Sequence, residues 1–428
     1  MKYKLIISNS SLSPLFRRDQ RRPFLSFLVA ICLLSACKET KKDIIAENFE
    51  FAGKQLSYAL TEMEFAIKNE SEASIKQRAD SGWSELVNPR SLEPDGSLMM
   101  VPSKDWCSGF FPGNLWFMYE YTQDERWKAL AHRQTILIER EKYNNRTHDM
   151  GFKIYCSYGT GYRLTQNPSY REVLIRSAET LITRFCPIVG CIRSWDYVRP
   201  HWVFPVIIDN MLNLELLFWA TRETGDSTYY NIAVKHATTT MKNHFRSDNS
   251  SWHVVDYDPK SGQVIVKETH QGYDHESAWS RGQAWGIYGY AMCYRETGNP
   301  QFLEQARKIA DYIFSHPNLP QDLIPYWDYN APDIPNEPRD VSAATCTASA
   351  LYELSILDPQ NKEQYLAWAD RIIESVTNNY RAELYSHRGF LLLNSTGGKM
   401  LDFEIDVPLV YADYYFLEAL LRKERGLP

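Results

Sequence analysis

Little in this sequence points to strand, and less to a nucleic-acid-binding or membrane-embedded protein. Past residue 40 no apolar run is long enough to cross a bilayer. No basic block suggests nucleic acid: 47 Lys and Arg stand against 53 Asp and Glu, a formal charge of −6. β-strand pattern is confined to residues 251–268, where "SWHVVDYD" and "GQVIVKE" read as a single hairpin. Cysteines number eight, and no pair of them has the spacing of a zinc finger. "CPIVGC" leaves two readings open: a small disulfide loop joining Cys186 to Cys191, or two free buried thiols. Aromatics are abundant instead, at 14% with 12 Trp and 27 Tyr. Such rings fill cores, but they also stack on sugars, so the excess favours a carbohydrate ligand.

The first forty residues read as a targeting segment. Arg17, Arg18, Arg21 and Arg22 precede an apolar run over 24–34, too short to span a membrane. The run ends in "LSAC", which resembles a bacterial lipobox, with Cys37 as the lipidated residue. The alternative is an ordinary signal peptide with a chance cysteine. The lipobox reading expects a signal over 1–36 and one catalytic domain over 37–428. That domain would be lipid-anchored, periplasmic or at the outer surface of a Gram-negative cell.

One phrase recurs along the rest of the chain. "YEYTQDERWKALA", "YRLTQNPSYREVL", "TRETGDSTYYNIAVKHA", "YRETGNPQFLEQARKIA" and "LSILDPQNKEQYLAWA" each join the end of one helix to a short polar turn and the start of another. The helix before the turn is apolar and rich in small residues; the one after it is amphipathic. Thr122, Thr165, Thr224, Thr297 and Leu357 mark the turns, about 40 to 75 residues apart, the scale of stacked or closed αα units. Helices are predicted over 44–68, 109–122, 125–142, 151–165, 168–185, 206–224, 227–244, 280–297, 300–315, 342–357, 362–378 and 408–423. Six hairpins of this kind predict an all-α fold, a six-hairpin α/α barrel with at most one small β-hairpin. An open solenoid is the alternative, disfavoured because polar capping repeats are missing at the ends.

The heads of the apolar helices carry unusual polar and aromatic residues: "KDWCSGFFPG", "NRTHDMGF", "PVIIDN", "WSRGQAW", "PRDVSAA" and "EIDVPLVYAD". In a ring of parallel inner helices those heads share one mouth, so Asp149, Asp209, Arg281, Trp106 and Trp279 converge. Asp209 is the most telling, since "PVIIDNMLNLELLFWA" otherwise reads as a buried helix and an isolated carboxylate is costly there. A helix cap would explain an aspartate at a helix head; a proton donor with a raised pKa would explain it too. Arg281 offers a bidentate partner to an anionic ligand. "ETHQGYDHES" lacks the spacing of helical zinc ligands, and neither a metal nor a cofactor is expected. Lys399, in "NSTGGKMLDFEIDV", suits a sulfate or a carboxylate, or is an ordinary surface lysine. The polar stretch 69–104 reads as a long loop packed over the mouth.

"DWCSGFFPGNLWFMYEYT", "THDMGF", "IIDNMLNLELLFWA", "QGYDHESAWSRGQAWG" and "DVPLVYADYYFLEALLR", in that order, resemble the unsaturated glucuronyl hydrolases, glycoside hydrolase family 88. The similarity runs from about residue 44 to the end. It implies an α/α-barrel enzyme acting on lyase-generated oligosaccharides that carry a 4,5-unsaturated uronic acid at the non-reducing end. Asp209 matches the family's proton donor to C4 of the double bond and Asp149 its second acid. Trp106, His148, Trp195, His253, Gln271, Trp279, Arg281 and Trp285 match substrate-site positions. Cys107 departs from the pattern, standing where a Thr or similar residue is usual. Competing readings are a related barrel enzyme, either a rhamnogalacturonyl hydrolase or an inverting glycosidase, and a non-catalytic glycan-binding lipoprotein.

Overall fold

The computed structural model describes residues 43–80, 85–196 and 201–426. The lipobox and Cys37 lie outside the described residues. The recurring turn is built the same way four times. Thr122, Thr165, Thr224 and Thr297 each donate their hydroxyl to the carbonyl four residues back, at 2.6–2.7 Å. The next residue (Gln123, Gln166, Gly225 or Gly298) adopts positive φ and ends the helix. Then Asp124, Asn167, Asp226 or Asn299 accepts the backbone N–H two residues on and starts the next helix. The fifth turn has no threonine. There Asp358 takes a fork from Arg307 at 2.7–2.8 Å instead.

Apolar and amphipathic helices sort into two layers for the reason their patterns predict. In Val341–Leu357 every residue from Val341 to Ser355 is buried, and in Ser280–Thr297 every one from Ser280 to Cys293. Pro300–Ser315 buries only one stripe, Phe302, Leu303, Gln305, Ala306, Ile309, Ala310 and Ile313. The inner helices touch their neighbours all the way round. Phe110–Thr122 packs on the 151–165 helix, which meets the 210–224 pair. That pair meets Ser280–Thr297, then Val341–Leu357, then Val410–Arg425, which returns to Phe110–Thr122. The ring is closed, as the α/α-barrel reading requires. Ile44–Lys68 packs on both Phe110–Thr122 and Val410–Arg425, so the first described helix completes the outer layer beside the last inner one.

Three local readings are corrected. First, residues 205–207 are strand β5 (Pro205–Ile207), not the start of a helix; β5 pairs with β6 (Val254–Tyr257), which pairs with β7 (Val264–Glu268). An apolar run does not distinguish a short buried strand from a buried helix. Second, strand is more frequent than the single hairpin expected: β1 (Leu86–Leu92) pairs with β2 (Leu98–Pro102), and β3 (Phe185–Cys186) with β4 (Cys191–Ile192). β1 contains Pro89, which cannot donate to a ladder, and its register slips there, so alternation is lost. Third, the stretch 69–104 is a helix, Glu72–Asp80, followed by that hairpin rather than an open loop. Cys186 and Cys191 oppose each other across β3 and β4 as free thiols.

The inner helix Gly151–Gly159 is a π-helix that continues as Thr160–Thr165. Gly109 is what lets it pack: a Cβ there would lie 2.1–2.2 Å from the carbonyl oxygens of Lys153 and Phe152. This close approach seats the loop carrying Asp149 beside the helix head that follows Trp106.

Candidate active site

Asp209 owes its position to a strand-to-helix turn. β5 runs into the mouth, Ile208 N–H donates to His253 O at 3.1 Å, and the chain then coils into Asn210–Asn213. The carboxylate caps nothing. Asp124, Asp226 and Asp340 each accept a backbone N–H, whereas Asp209 makes no side-chain cap bond and its Oδ2 has no hydrogen-bond partner. The capping explanation is therefore excluded. The residue is 8% exposed, and burial pushes its carboxyl up to about 7. The negative charge of Asp149 adds to the rise; Arg281, the residue's own backbone N–H and the Trp285 indole oppose it.

Asp149 comes from the loop before the π-helix and reaches the same pocket. Thr147 donates its hydroxyl to Oδ2 at 2.5 Å, and His148 Nε2 stands 3.2 Å from Oδ1. His148 is fully buried, and burial keeps its pKa low. The pocket that the two acids share measures about 230 Å³, and Trp106, Trp195, Gln271 and Arg281 also line it. Pockets for drug-sized ligands run to roughly 300–1,000 Å³, so this one suits a single sugar ring rather than a chain. A larger cavity of about 450 Å³ opens at the other end of the barrel, among the C-terminal ends of the inner helices. Its five arginines are already paired, Arg163 with Glu120, Arg222 with Glu296, Arg295 with Glu215, Arg422 with Glu353 and Arg425 with Glu424.

Some expected contacts are displaced. Trp279, Trp285 and His253 do not line the pocket; they stand behind it. Trp285 is fully buried against Phe152 and Tyr415. Trp279 lies beneath the guanidinium of Arg281, 4.6 Å from ring centre to Cζ. His253 backs Asp209, with Nε2 3.6 Å from Oδ2. All three are expected from the sequence to touch substrate; an indole stacking under a cation looks the same in one dimension as one stacking on a sugar.

Arg281 is also more constrained than a free bidentate partner. Its Nη1 donates to Asp340 Oδ2 and to Thr396 O, both at 2.7 Å, and its Nη2 donates to Gly397 O at 2.7 Å. Gln271 Nε2 donates to the same Gly397 carbonyl at 2.8 Å. The strap 394–407 is thus gripped by two residues of the pocket wall. Asn394, Asp402, Glu404 and Asp406 hold positive φ within it, backbone that only a well-tethered loop sustains.

Several lining residues are not singled out in the sequence: Arg90, Leu401, Phe403, Glu404 and Tyr411; His270 lies in the quoted "ETHQGYDHES". Arg90 forks onto Glu404 at 2.6 and 3.0 Å, reaches Asp105 at 2.9 Å and lies over the Phe403 ring. Glu404 and Tyr411 fall inside the quoted helix head "EIDVPLVYAD"; Arg90, in "NPRSLEP", lies in the stretch expected over the mouth but has nothing local to single it out. Lys399 bonds Glu337 and lies over Trp327 rather than standing free.

Residues 67–416 match the model of Glycosyl Hydrolase Family 88. The chain is similar to an unsaturated glucuronyl hydrolase of Formosa agariphila, 47% identical over 391 residues, covering 86% of this chain and 97% of the relative. An unsaturated chondroitin disaccharide hydrolase of Streptococcus pneumoniae is 31% identical over 335 residues, 77% of this chain and 84% of that one. A solved unsaturated glucuronyl hydrolase specific for heparin superposes with a TM-score of 0.81 at 42% identity, covering 90% of this chain and 98% of its own.

Proposed function

The chain belongs to glycosyl hydrolase family 88, and from that premise we propose that it is an unsaturated uronyl hydrolase with Asp209 as its acid. Its substrates are oligosaccharides left by a polysaccharide lyase, with glycosaminoglycan fragments the first choice because relatives are named for glucuronyl and chondroitin substrates. The 4,5-unsaturated ring enters the one-sugar pocket. Asp209 gives its proton to C4, water adds at C5, and the carboxylate takes back the proton that the water sheds. The hemiketal so formed opens and the sugar leaves. Asp149 orients ring hydroxyls and helps keep its partner protonated, while Trp106 and Trp195 supply ring faces.

One observation carries this reading: a buried, uncapped aspartate held near pKa 7 at the wall of a pocket sized for one ring. A donor to an electron-rich double bond must be protonated near neutral pH, and an ordinary aspartate is not. The conjugated double bond absorbs in the ultraviolet, so turnover of lyase-generated disaccharides bleaches that band. Asp209→Asn should abolish the bleaching and keep the fold. Cleavage of saturated glycosides without bleaching would replace this reading with that of a conventional glycosidase. We further propose that Cys37 carries lipid and tethers the enzyme to a membrane outside the cytoplasm; Cys37→Ser should move it from the membrane to the soluble fraction.

A further inference from the structure

We infer that His253 is a positioning residue for Asp209, locked as the tautomer that carries its proton on Nε2 so that it donates to Oδ2 and leaves the acid's own proton on Oδ1. This rests on the reading of Asp209 as proton donor. The lock is visible in the backbone. His253 Nδ1 accepts the N–H of His270 at 3.1 Å and that of Gln271 at 3.2 Å. A ring nitrogen that accepts presents its lone pair, so in the neutral ring the hydrogen sits on the other nitrogen. The ring stays neutral: it is 3% exposed, and burial, with His270, Arg281, His244 and His148 nearby, keeps it from charging.

Nε2 faces Asp209. Both Nε2 and Oδ2 are buried, neither has a hydrogen-bond partner, and they stand 3.6 Å apart. That gap is too narrow for a bridging water and slightly too long for a good bond. Such contacts commonly tighten when substrate closes the site. The ring has little freedom to do anything else, with Trp279 packed against it at 4.6 Å and Trp195 edge-on at 6.0 Å. The loop that sets the tautomer is also the loop that presents His270 and Gln271 to the pocket. Substrate contact at that loop and orientation of the acid are therefore joined through two backbone N–H groups.

Two measurements test this. In the whole protein labelled with ¹⁵N-histidine, assigned by the spectrum of His253→Gln, the His253 ring should show a neutral Nε2–H signature between pH 5 and 8. An Nδ1–H form or an imidazolium in that range overturns the proposal whatever the role of Asp209. In the bleaching assay, His253→Leu should lower kcat about 100-fold with KM nearly unchanged, and should move the alkaline limb of kcat/KM upward because the carboxylate has lost a donor. His253→Gln, which keeps both an acceptor and a donor, should recover at least tenfold of the loss. A raised KM with kcat intact, or an unmoved alkaline limb, overturns it. Bleaching that survives in Asp209→Asn would instead remove the premise, leaving the tautomer measurement to stand by itself.

Discussion

Arg281 and Asp340 form an ion pair at 2.7 Å with neither side chain open to solvent. Asp340 also caps the inner helix Val341–Leu357 through Ser342 N–H, so the pair ties two neighbouring inner helices together at the mouth. It also fixes the donors that hold the strap at Thr396 and Gly397. Arg281→Leu leaves a buried carboxylate without its partner and should lower stability by about 3–5 kcal/mol in chemical denaturation. Arg281→Lys keeps the charge but loses the fork; kcat/KM should fall about 100-fold with a much smaller loss of stability. Equal losses of stability in the two variants would contradict this view of the pair.

On the proposed mechanism the acid sets the alkaline limit of activity. Asp209 would act protonated, and its carboxyl is held near 7, mainly by burial. The rate of bleaching should therefore decline as pH rises through about 7. A profile flat to pH 9 would exclude Asp209 as the titrating donor.

Asp149→Asn removes a negative neighbour that makes ionisation of Asp209 harder. Ionisation becomes easier, so the alkaline limb should move to lower pH. We expect kcat to drop by about 100-fold as well, the lower end of what a positioned general acid or base contributes. An upward move of the limb would show that Asp149 is not acting through charge.

Asp209 should cost the fold stability at high pH. Its pKa is 3.8 when unfolded and about 7 when folded, so the folded state resists ionisation. The penalty is absent below the unfolded value, grows between the two and is full above the folded one. Its ceiling is about 4 kcal/mol, from ~1.4 kcal/mol per pH unit. Asp209→Asn should accordingly raise Tm relative to wild type at pH 8.5 and have little effect at pH 4. A difference independent of pH would contradict the burial account.

Asn299 offers the opposite case, a true cap far from the chemistry. It accepts the Gln301 N–H at 3.0 Å. Asn299→Ala should lower stability by about 1 kcal/mol and leave kcat and KM unchanged. Together with Asp209→Asn it separates a capping residue from an acid that caps nothing.

By itself the sequence determined the repeating helix–turn–helix units and therefore the barrel. The signals for each unit are local: a threonine bonding four residues back, an Asp or Asn bonding two residues on, and burial patterns read at helical spacing. These bonds close within one or two turns of chain, so they are written in neighbouring letters. The unusual acid at a helix head was legible for the same reason. Tertiary structure alone decided what stands against that acid. The pairing of β5 with β6 sets Asp209 beside His253, a residue on a different element. Closure of the ring sets Trp285 against Phe152 and Tyr415 instead of in the pocket. Arg90 and Glu404 meet across 314 residues to complete a wall that no local stretch of sequence assembles. Whether a buried side chain faces a ligand or supports the residue that does depends on the surface packed against it, and that surface comes from distant parts of the chain.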